Sequence, residues 1–263
     1  MKEFLLRTVT GISLVVFFIG SILLGPIPML IMILLVYGLG CMELFRLKAT
    51  PFGFPAALLA ASGALLIMGV YGGLNLEMNP LWLILPASLW IVGFLLHRDL
   101  NTGSLLLLWI AIPLSSFIAI GWFPEGSWNT LLPVAVIALV WINDTLAYVT
   151  GSLLGKHHMT PKLSPGKTWE GFVGGMLFTM LSGWLFYHFT GLQTAATWIA
   201  AGVVASLFGL AGDLFESRLK RKHHVKDSGG ILPGHGGILD RFDSLLFVAP
   251  ALFLLLLLLQ LYT

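Results

Sequence analysis

Charge is what this sequence has least of. Only 10% of its 263 residues are Asp, Glu, Lys or Arg, 57% are hydrophobic, and the mean hydropathy is +0.94. Soluble domains carry about 25% charged residues, so the composition excludes an ordinary soluble core and describes a chain whose solvent is mostly lipid. Cysteine is nearly absent too: the single Cys41 cannot form an internal disulfide and says nothing about redox compartment. No H-x-x-x-H or Cys/His spacing argues for zinc. The opening "MKEFLLRTVTGISLVVFFIGSILLG" lacks an A-x-A-like cleavage site, and another apolar run begins almost at once, so it reads as a retained first span. There is no repeat of fixed period, no low-complexity linker and no appended soluble domain.

Long apolar runs are abundant. A span needs about 20 residues to cross roughly 30 Å of hydrocarbon. Runs of sufficient length fall at 8–24, 27–44, 54–74, 79–96, 104–123, 131–154, 170–189, 197–216 and 244–262, which predicts nine helices. Only "GPIP" at 25–28 separates the first two, leaving a tight hairpin or one broken element open. The charges then sort by loop. With the N-terminus in the cytoplasm, Lys2, Arg7, Arg46, Lys48, Arg98, Lys156, Lys162, Lys167, Arg218, Lys220, Arg221, Lys222, Lys226 and Arg241 all lie inside. Those are all 14 Lys and Arg, while the opposite loops carry only Glu77 and Glu125. This asymmetry predicts an all-α polytopic membrane protein of nine spans, N-terminus in and C-terminus out. It is expected to form one integrated membrane domain. Residues 1–130 would supply scaffold and lipid-facing helices, and 131–263 the polar helices with cytoplasmic loops 155–171 and 217–243. Trp122, Trp128, Trp169 and Trp198 fall near span ends, where indoles favour the headgroup zone.

Some polar residues stand where lipid would exclude them. Asp144 lies in the sixth span, Asp213 and Glu216 in the eighth, and Asp240 and Asp243 open the ninth. A carboxylate at a helix centre costs about 2.5–3.5 kcal/mol on insertion scales, so it faces protein, water or a partner charge. Asp213 and Glu216 share a helix face with Ser217 and Lys220. Asp240 and Asp243 repeat the three-residue spacing at a helix start, where the dipole favours acids and Asp240 is placed to cap. Between Ser217 and Ser244 the order is basic run, glycine turns, acidic pair. Carboxylates suited to a divalent cation therefore adjoin Lys, Arg and glycine amides suited to phosphates. Mg²⁺ favours one or two carboxylates plus substrate phosphate oxygens.

Each piece alone has a plainer meaning. "RLKRKHH" reads as a polybasic anchor for anionic lipid. Asp240, Arg241 and Asp243 read as an ion pair with a cap. Asp144 reads as a proton relay or a buried hydrogen-bond partner, and the glycines of "GFVGGM" (171–176) as close helix packing. Their joint occurrence points instead to a site at the cytoplasmic membrane surface, where a lipid headgroup and a soluble nucleotide meet.

The residues Ser217-Arg-Leu-Lys-Arg221, Lys226-Asp227 and Pro233-Gly-His-Gly-Gly-Ile-Leu-Asp-Arg-Phe-Asp243 resemble the signature of the phosphatidate cytidylyltransferases. The blocks at 143–156 and "LSPGKTWEG" at 163–171 are similar to that family's other motifs. Gly166 departs from it, since a charged residue is common there before the Lys. The resemblance covers the C-terminal half, and the N-terminal half matches only as membrane spans. It implies an enzyme of the cytoplasmic (inner) membrane that joins CTP to phosphatidate, giving CDP-diacylglycerol and pyrophosphate for phospholipid biosynthesis. Mg²⁺ would be the cofactor, with a second metal or a monovalent cation left open, as is a homodimer; no nucleic acid is implied.

On that resemblance Asp213 and Asp240 are the first metal ligands, with Asp144 and Asp243 beside them or behind them. Lys167, Lys226 and Arg241 contact phosphates, and Ser164, Thr168 and His235 bind or orient the nucleotide. Gly236 and Gly237 offer amides to its phosphates, and Arg218 and Arg221 hold the lipid phosphate. Three other readings compete. A CDP-alcohol phosphatidyltransferase needs D-x-x-D-G-x-x-A-R, which "DRFDS" at 240–244 does not continue. A CTP-dependent polyprenol kinase would release CDP rather than pyrophosphate. A proton-coupled transporter would place its acids at the midplane of repeated halves, whereas these cluster toward one face.

Overall fold

A computed structural model describes residues 2–50, 52–76, 78–97, 100–124, 126–231 and 236–261. His235, Glu77, Glu125 and Arg98 lie outside the described residues, and the side chains of Lys2 and Arg7 are not described. The chain divides into two units, residues up to Pro133 together with Val225–Phe242, and Val134–His224 together with the residues from Asp243 onward.

The first unit holds α1 (Lys2–Leu23), α2 (Pro26–Leu47), α3 (Phe54–Leu76), α4 (Ile84–His97), α5 (Leu100–Ser104) and α6 (Ile112–Ile120). The question left by "GPIP" is answered by backbone chemistry. Gly25 takes φ 119, a conformation that side chains disfavour, and Pro26 opens α2 with its fixed φ. The two runs are separate helices. The face of α2 formed by Ile33, Tyr37, Cys41 and Leu44 recurs at helical spacing and is buried. Phe18 of α1 stacks on Phe117 at 5.9 Å and meets Phe242 at 5.1 Å. A π-helical segment, Leu105–Ala111, joins α5 to α6. Pro113 follows directly; its ring displaces the carbonyl four residues earlier, and a widened turn accommodates that.

The second unit holds α7 (Leu131–Leu154), counted here from Val134, a hairpin of β1 (His158–Thr160) and β2 (Ser164–Thr168), α8 (Trp169–Thr190) and α9 (Ala195–Lys222). It also takes α10 (Leu239–Gln260) from Asp243 onward. Thr168 and Thr194 cap α8 and α9, each hydroxyl accepting an amide three residues on, and α8 stops at left-handed Gly191. Small residues let these helices approach. A Cβ at Gly175 would stand 2.8 Å from that of Ala147, one at Gly202 would stand 2.8 Å from the Met180 Cα, and one at Gly212 would run into the Asp243 carbonyl. The packing reading of "GFVGGM" holds.

The all-α expectation holds, with one small antiparallel hairpin added. Among the described residues seven helices are long and apolar enough to cross a membrane, and Thr8–Leu23 and Leu81–Leu96 are shorter apolar helices. Two boundaries need correction. Helix α9 continues to Lys222 rather than ending near 216, because Lys220 folds back on Glu216 one turn earlier at 2.7 Å. Helix α10 begins at Leu239, so what was read as a loop over 217–243 is non-helical only between those helices. The tryptophan reading also changes. Trp122 and Trp198 are buried, Trp122 edge-on to Trp128 at 4.8 Å, and the Trp198 indole donates to the Leu192 carbonyl at 2.8 Å. The polar edge of Trp198 is thus answered by protein rather than headgroups. Trp169 is exposed.

Gly202→Leu should therefore separate α8 from α9 and cost about 1–3 kcal/mol. Thermal unfolding of the detergent-solubilised protein checks it, and an unchanged midpoint would remove the close-approach argument.

Candidate functional site

In the second unit the acids of α7 and α9 meet one lysine and one serine. Lys167, on β2, extends its ammonium onto the Asp213 carboxylate. Ser244 donates its hydroxyl to the other Asp213 oxygen at 2.5 Å and lies 3.4 Å from Asp144 Oδ2. The Asn143 amide donates to Asp144 Oδ1 at 3.3 Å. Lys167 and Asp213 remain about one quarter exposed, and Ser244 is buried. Two carboxylates thus face one hydroxyl while a cation covers one of them.

The position of this cluster follows from helix geometry. Asp144 stands ten residues before the end of α7, about 15 Å by the helical rise. Asp213 stands nine before the end of α9, a similar depth. Lys167 reaches such a position because the hairpin turns back between α7 and α8. Glu170, in the first turn of α8, fastens that turn: one oxygen accepts the Lys156 and His157 amides at 3.1 and 3.2 Å, and the other meets His157 Nδ1 at 2.5 Å.

Beside the cluster lies a cavity of about 300 Å³, near the lower bound for small-molecule sites. Asp144, Lys167 and Asp213 form its charged wall, and Tyr148, Met159, Phe172 and Leu210 its apolar wall. Thr168 also lines it, with its hydroxyl accepting the Gly171 amide as the α8 cap. Among the described residues no three His, Cys, Asp or Glu side chains form a metal-holding group. A divalent cation that keeps most of its ligands from water and phosphate needs only one or two carboxylates, and Asp144 and Asp213 meet that requirement.

The other site residues read from the sequence fall as follows. Asp243 follows Asp240 by three positions in α10, and its carboxylate accepts the Ser244 amide at 2.9 Å. Ser164 is half-buried on β2 and its carbonyl accepts the Thr160 hydroxyl at 3.5 Å. Arg218 and Arg221 are exposed and one turn apart on α9, not in a loop. Lys226, Asp240, Arg241, Gly236 and Gly237 belong to the first unit. Lys226 and Arg241 are exposed. Asp240 accepts the Ser228 amide at 3.0 Å and the Gly237 amide at 2.8 Å, and Gly236 has φ 82 with room for a Cβ only 2.9 Å from Asp240 Oδ2. His235 lies outside the described residues.

Sequence reasoning missed Ser244, Asn143, Glu170 and Glu43. Ser244 and Asn143 each adjoin an intramembrane acid, a signal that was present. Glu43, the lone acid of the second apolar run, carried the same warning as Asp144.

A family profile described as "Cytidylyltransferase family" matches residues 5–259. A phosphatidate cytidylyltransferase of Staphylococcus aureus (strain COL) is 33% identical over 256 residues, covering 95% of this chain and 98% of the relative. Its counterpart from Staphylococcus saprophyticus subsp. saprophyticus is 36% identical over 262 residues with the same coverage. Another, from Staphylococcus epidermidis, reaches 52% over 120 residues, 45% of this chain and 46% of the relative.

Proposed function

This chain belongs to the cytidylyltransferase family, and we infer that its reaction is transfer of the cytidylyl group of CTP to phosphatidate. The products are CDP-diacylglycerol and pyrophosphate, and the product lipid serves phospholipid synthesis. The observation that carries the site assignment is the chain Lys167–Asp213–Ser244–Asp144, of which Lys167, Asp213 and Asp144 line the cavity.

The chemistry sets what the residues must do. A phosphate oxygen of phosphatidate attacks the α-phosphorus of CTP, the bond to the β-phosphate oxygen breaks, and pyrophosphate leaves with that electron pair. Both reactants are anions, so the protein's task is to lower repulsion and align the displacement. No protein nucleophile is needed. Lys167, whose ammonium is held at the cavity by Asp213, offers its charge to a phosphate oxygen. Ser244 orients Asp213 toward Asp144. Asp144 and Asp213 are the residues that would hold Mg²⁺, which when bound supplies positive charge to the transferred and leaving phosphates. Lys226 and Arg241, exposed in the first unit, are the further cations assigned to nucleotide phosphates. Arg218 and Arg221, exposed at the basic end of α9, receive the lipid phosphate. Asp240, accepting the Ser228 and Gly237 amides, holds residues close in sequence to Lys226 and Arg241.

Topology belongs to the same proposal. The seven long helices with Thr8–Leu23 and Leu81–Leu96 make nine crossings. All 14 Lys and Arg then fall on the cytoplasmic side, with the site there and the C-terminus outside. A C-terminal reporter active only in the cytoplasm would contradict this arrangement.

Purified protein given labelled CTP, phosphatidate and Mg²⁺ should place label in the lipid extract and release pyrophosphate. Release of CDP would indicate a kinase instead. Asp213→Asn keeps size and loses charge, so turnover should fall at least ~100-fold, about 2.7 kcal/mol of transition-state stabilisation, with folding retained. Near-normal turnover at saturating Mg²⁺ would remove Asp213 from the site. Arg221→Ala should raise the apparent constant for phosphatidate roughly tenfold and leave that for CTP unchanged; the opposite pattern would reassign it.

A further inference from the structure

Glu43 has no part in the scheme above, yet it is the most completely enclosed acid among the described residues. It stands on α2 at 0% exposure. One carboxylate oxygen accepts the Ile238 amide at 2.7 Å; the other accepts the Leu239 amide at 2.9 Å and the Ser228 hydroxyl at 3.2 Å. The backbone has been thinned to let it in. A Cβ at Gly229 would stand 2.7 Å from Glu43 Oε1, and one at Gly237 would stand 2.6 Å from Oε2. Ser228 is fastened at both ends, its hydroxyl to Glu43 and its amide to Asp240.

The physical meaning lies in which donors are consumed. Ile238 and Leu239 provide amides at the start of α10, where the helix leaves N–H groups without internal partners and favours an anion. Here the anion is built in, donated by a helix nearly 200 residues away in sequence. The Gly237 amide is likewise held by Asp240. Ser228, Gly237, Ile238 and Leu239 are therefore held by two carboxylates, Glu43 and Asp240. We propose that Glu43 is a positioning residue for the reaction: by holding Ser228, Ile238 and Leu239 it sets the places of Lys226, just before Ser228, and Arg241, just after Leu239, as the cations for the nucleotide phosphates. The inference rests on the assignment of Lys226 and Arg241 to phosphate contact.

Removing one acceptor should show this. Glu43→Gln keeps the shape but turns a donor toward amides that need an acceptor, which frees the segment. A displacement on the order of 1 Å is enough to cost about 100-fold. The measurement is kcat and the apparent constants for CTP and phosphatidate, expressed per folded molecule, with hydrogen exchange at Ile238 and Leu239 alongside. The expected result is faster exchange at those amides, a loss in kcat/KM for CTP of about tenfold or more, and little change in the constant for phosphatidate. Ser228→Ala, which deletes one bond at the rim of the cluster, should shift the same parameters less, and adding it to Glu43→Gln should cost almost nothing further. Wild-type kcat and constants per folded molecule in Glu43→Gln would make the residue purely structural and overturn the proposal, as would additive losses in the double variant. Should Glu43→Gln fail to fold, unchanged kinetics in Ser228→Ala overturn it equally. If the wild-type protein itself places no label in lipid, the assigned reaction fails, which is a different result from any of these.

Discussion

A carboxylate inside an apolar helix must be answered by donors or a cation, and the polar architecture of this protein is organised around that requirement. Leaving such a group unanswered is costly whether its surroundings are lipid or protein. Asp213 is answered by the Lys167 ammonium and the Ser244 hydroxyl. Glu43 is answered by two amides and a hydroxyl, and Glu216 by Lys220. The three solutions differ in what they leave available. Glu43 and Glu216 are buried almost completely, whereas Asp213 and Lys167 keep about a quarter of their side chains open beside a cavity. The enclosed acids bind the protein's own groups, while the partly open pair lines the cavity.

Glycine is the second half of the same arrangement. Helices that carry acids have to come close enough for short side chains to reach across. Gly212 lets α9 meet the backbone of Asp243, where a Cβ would run into the carbonyl oxygen. In the other unit, Gly229 and Gly237 leave the space that the Glu43 carboxylate fills. Replacing either set with alanine would separate charge from partner before it changed any charge. The glycines among the acids are thus part of the electrostatics.

Much of the fold was legible because lipid imposes a coarse rule. Apolar runs of the right length announce helices, and every long helix of the structure corresponds to one of those runs. The boundaries were less legible, for identifiable reasons. The α9 extension depends on Glu216 and Lys220 satisfying one another, which lets a charged turn remain helical after hydrophobicity has ended. The hairpin at His158–Thr160 and Ser164–Thr168 was hidden because its sequence reads as a loop, and its closure depends on Glu170 gathering amides from Lys156 and His157. At the site, residue type and spacing singled out Asp144 and Asp213, and the family resemblance added Lys167. The pairing of Lys167 with Asp213, 46 positions apart, could not be read from spacing. Thr168 had a polar side chain in the right block, but nothing in its chemistry separates a nucleotide ligand from a helix cap. Glu43 was passed over because its partners are mostly backbone, which sequence does not display.

The balance of charge at the cavity explains why Lys167 suits both the resting site and the reaction. Asp144 and Asp213 face one ammonium and one hydroxyl around Ser244. In the proposed reaction CTP would bring further negative charge, and the ammonium that answers Asp213 would be a mobile positive group beside the cavity for a phosphate oxygen. A lysine does this better than an arginine would. Its point charge on a flexible stem can change partners, whereas a bidentate guanidinium fork is specialised for holding one planar partner. The exposed Arg218 and Arg221, expected to grip a lipid phosphate, meet the opposite demand, and the choice of cation at each position follows from whether the contact must switch or hold.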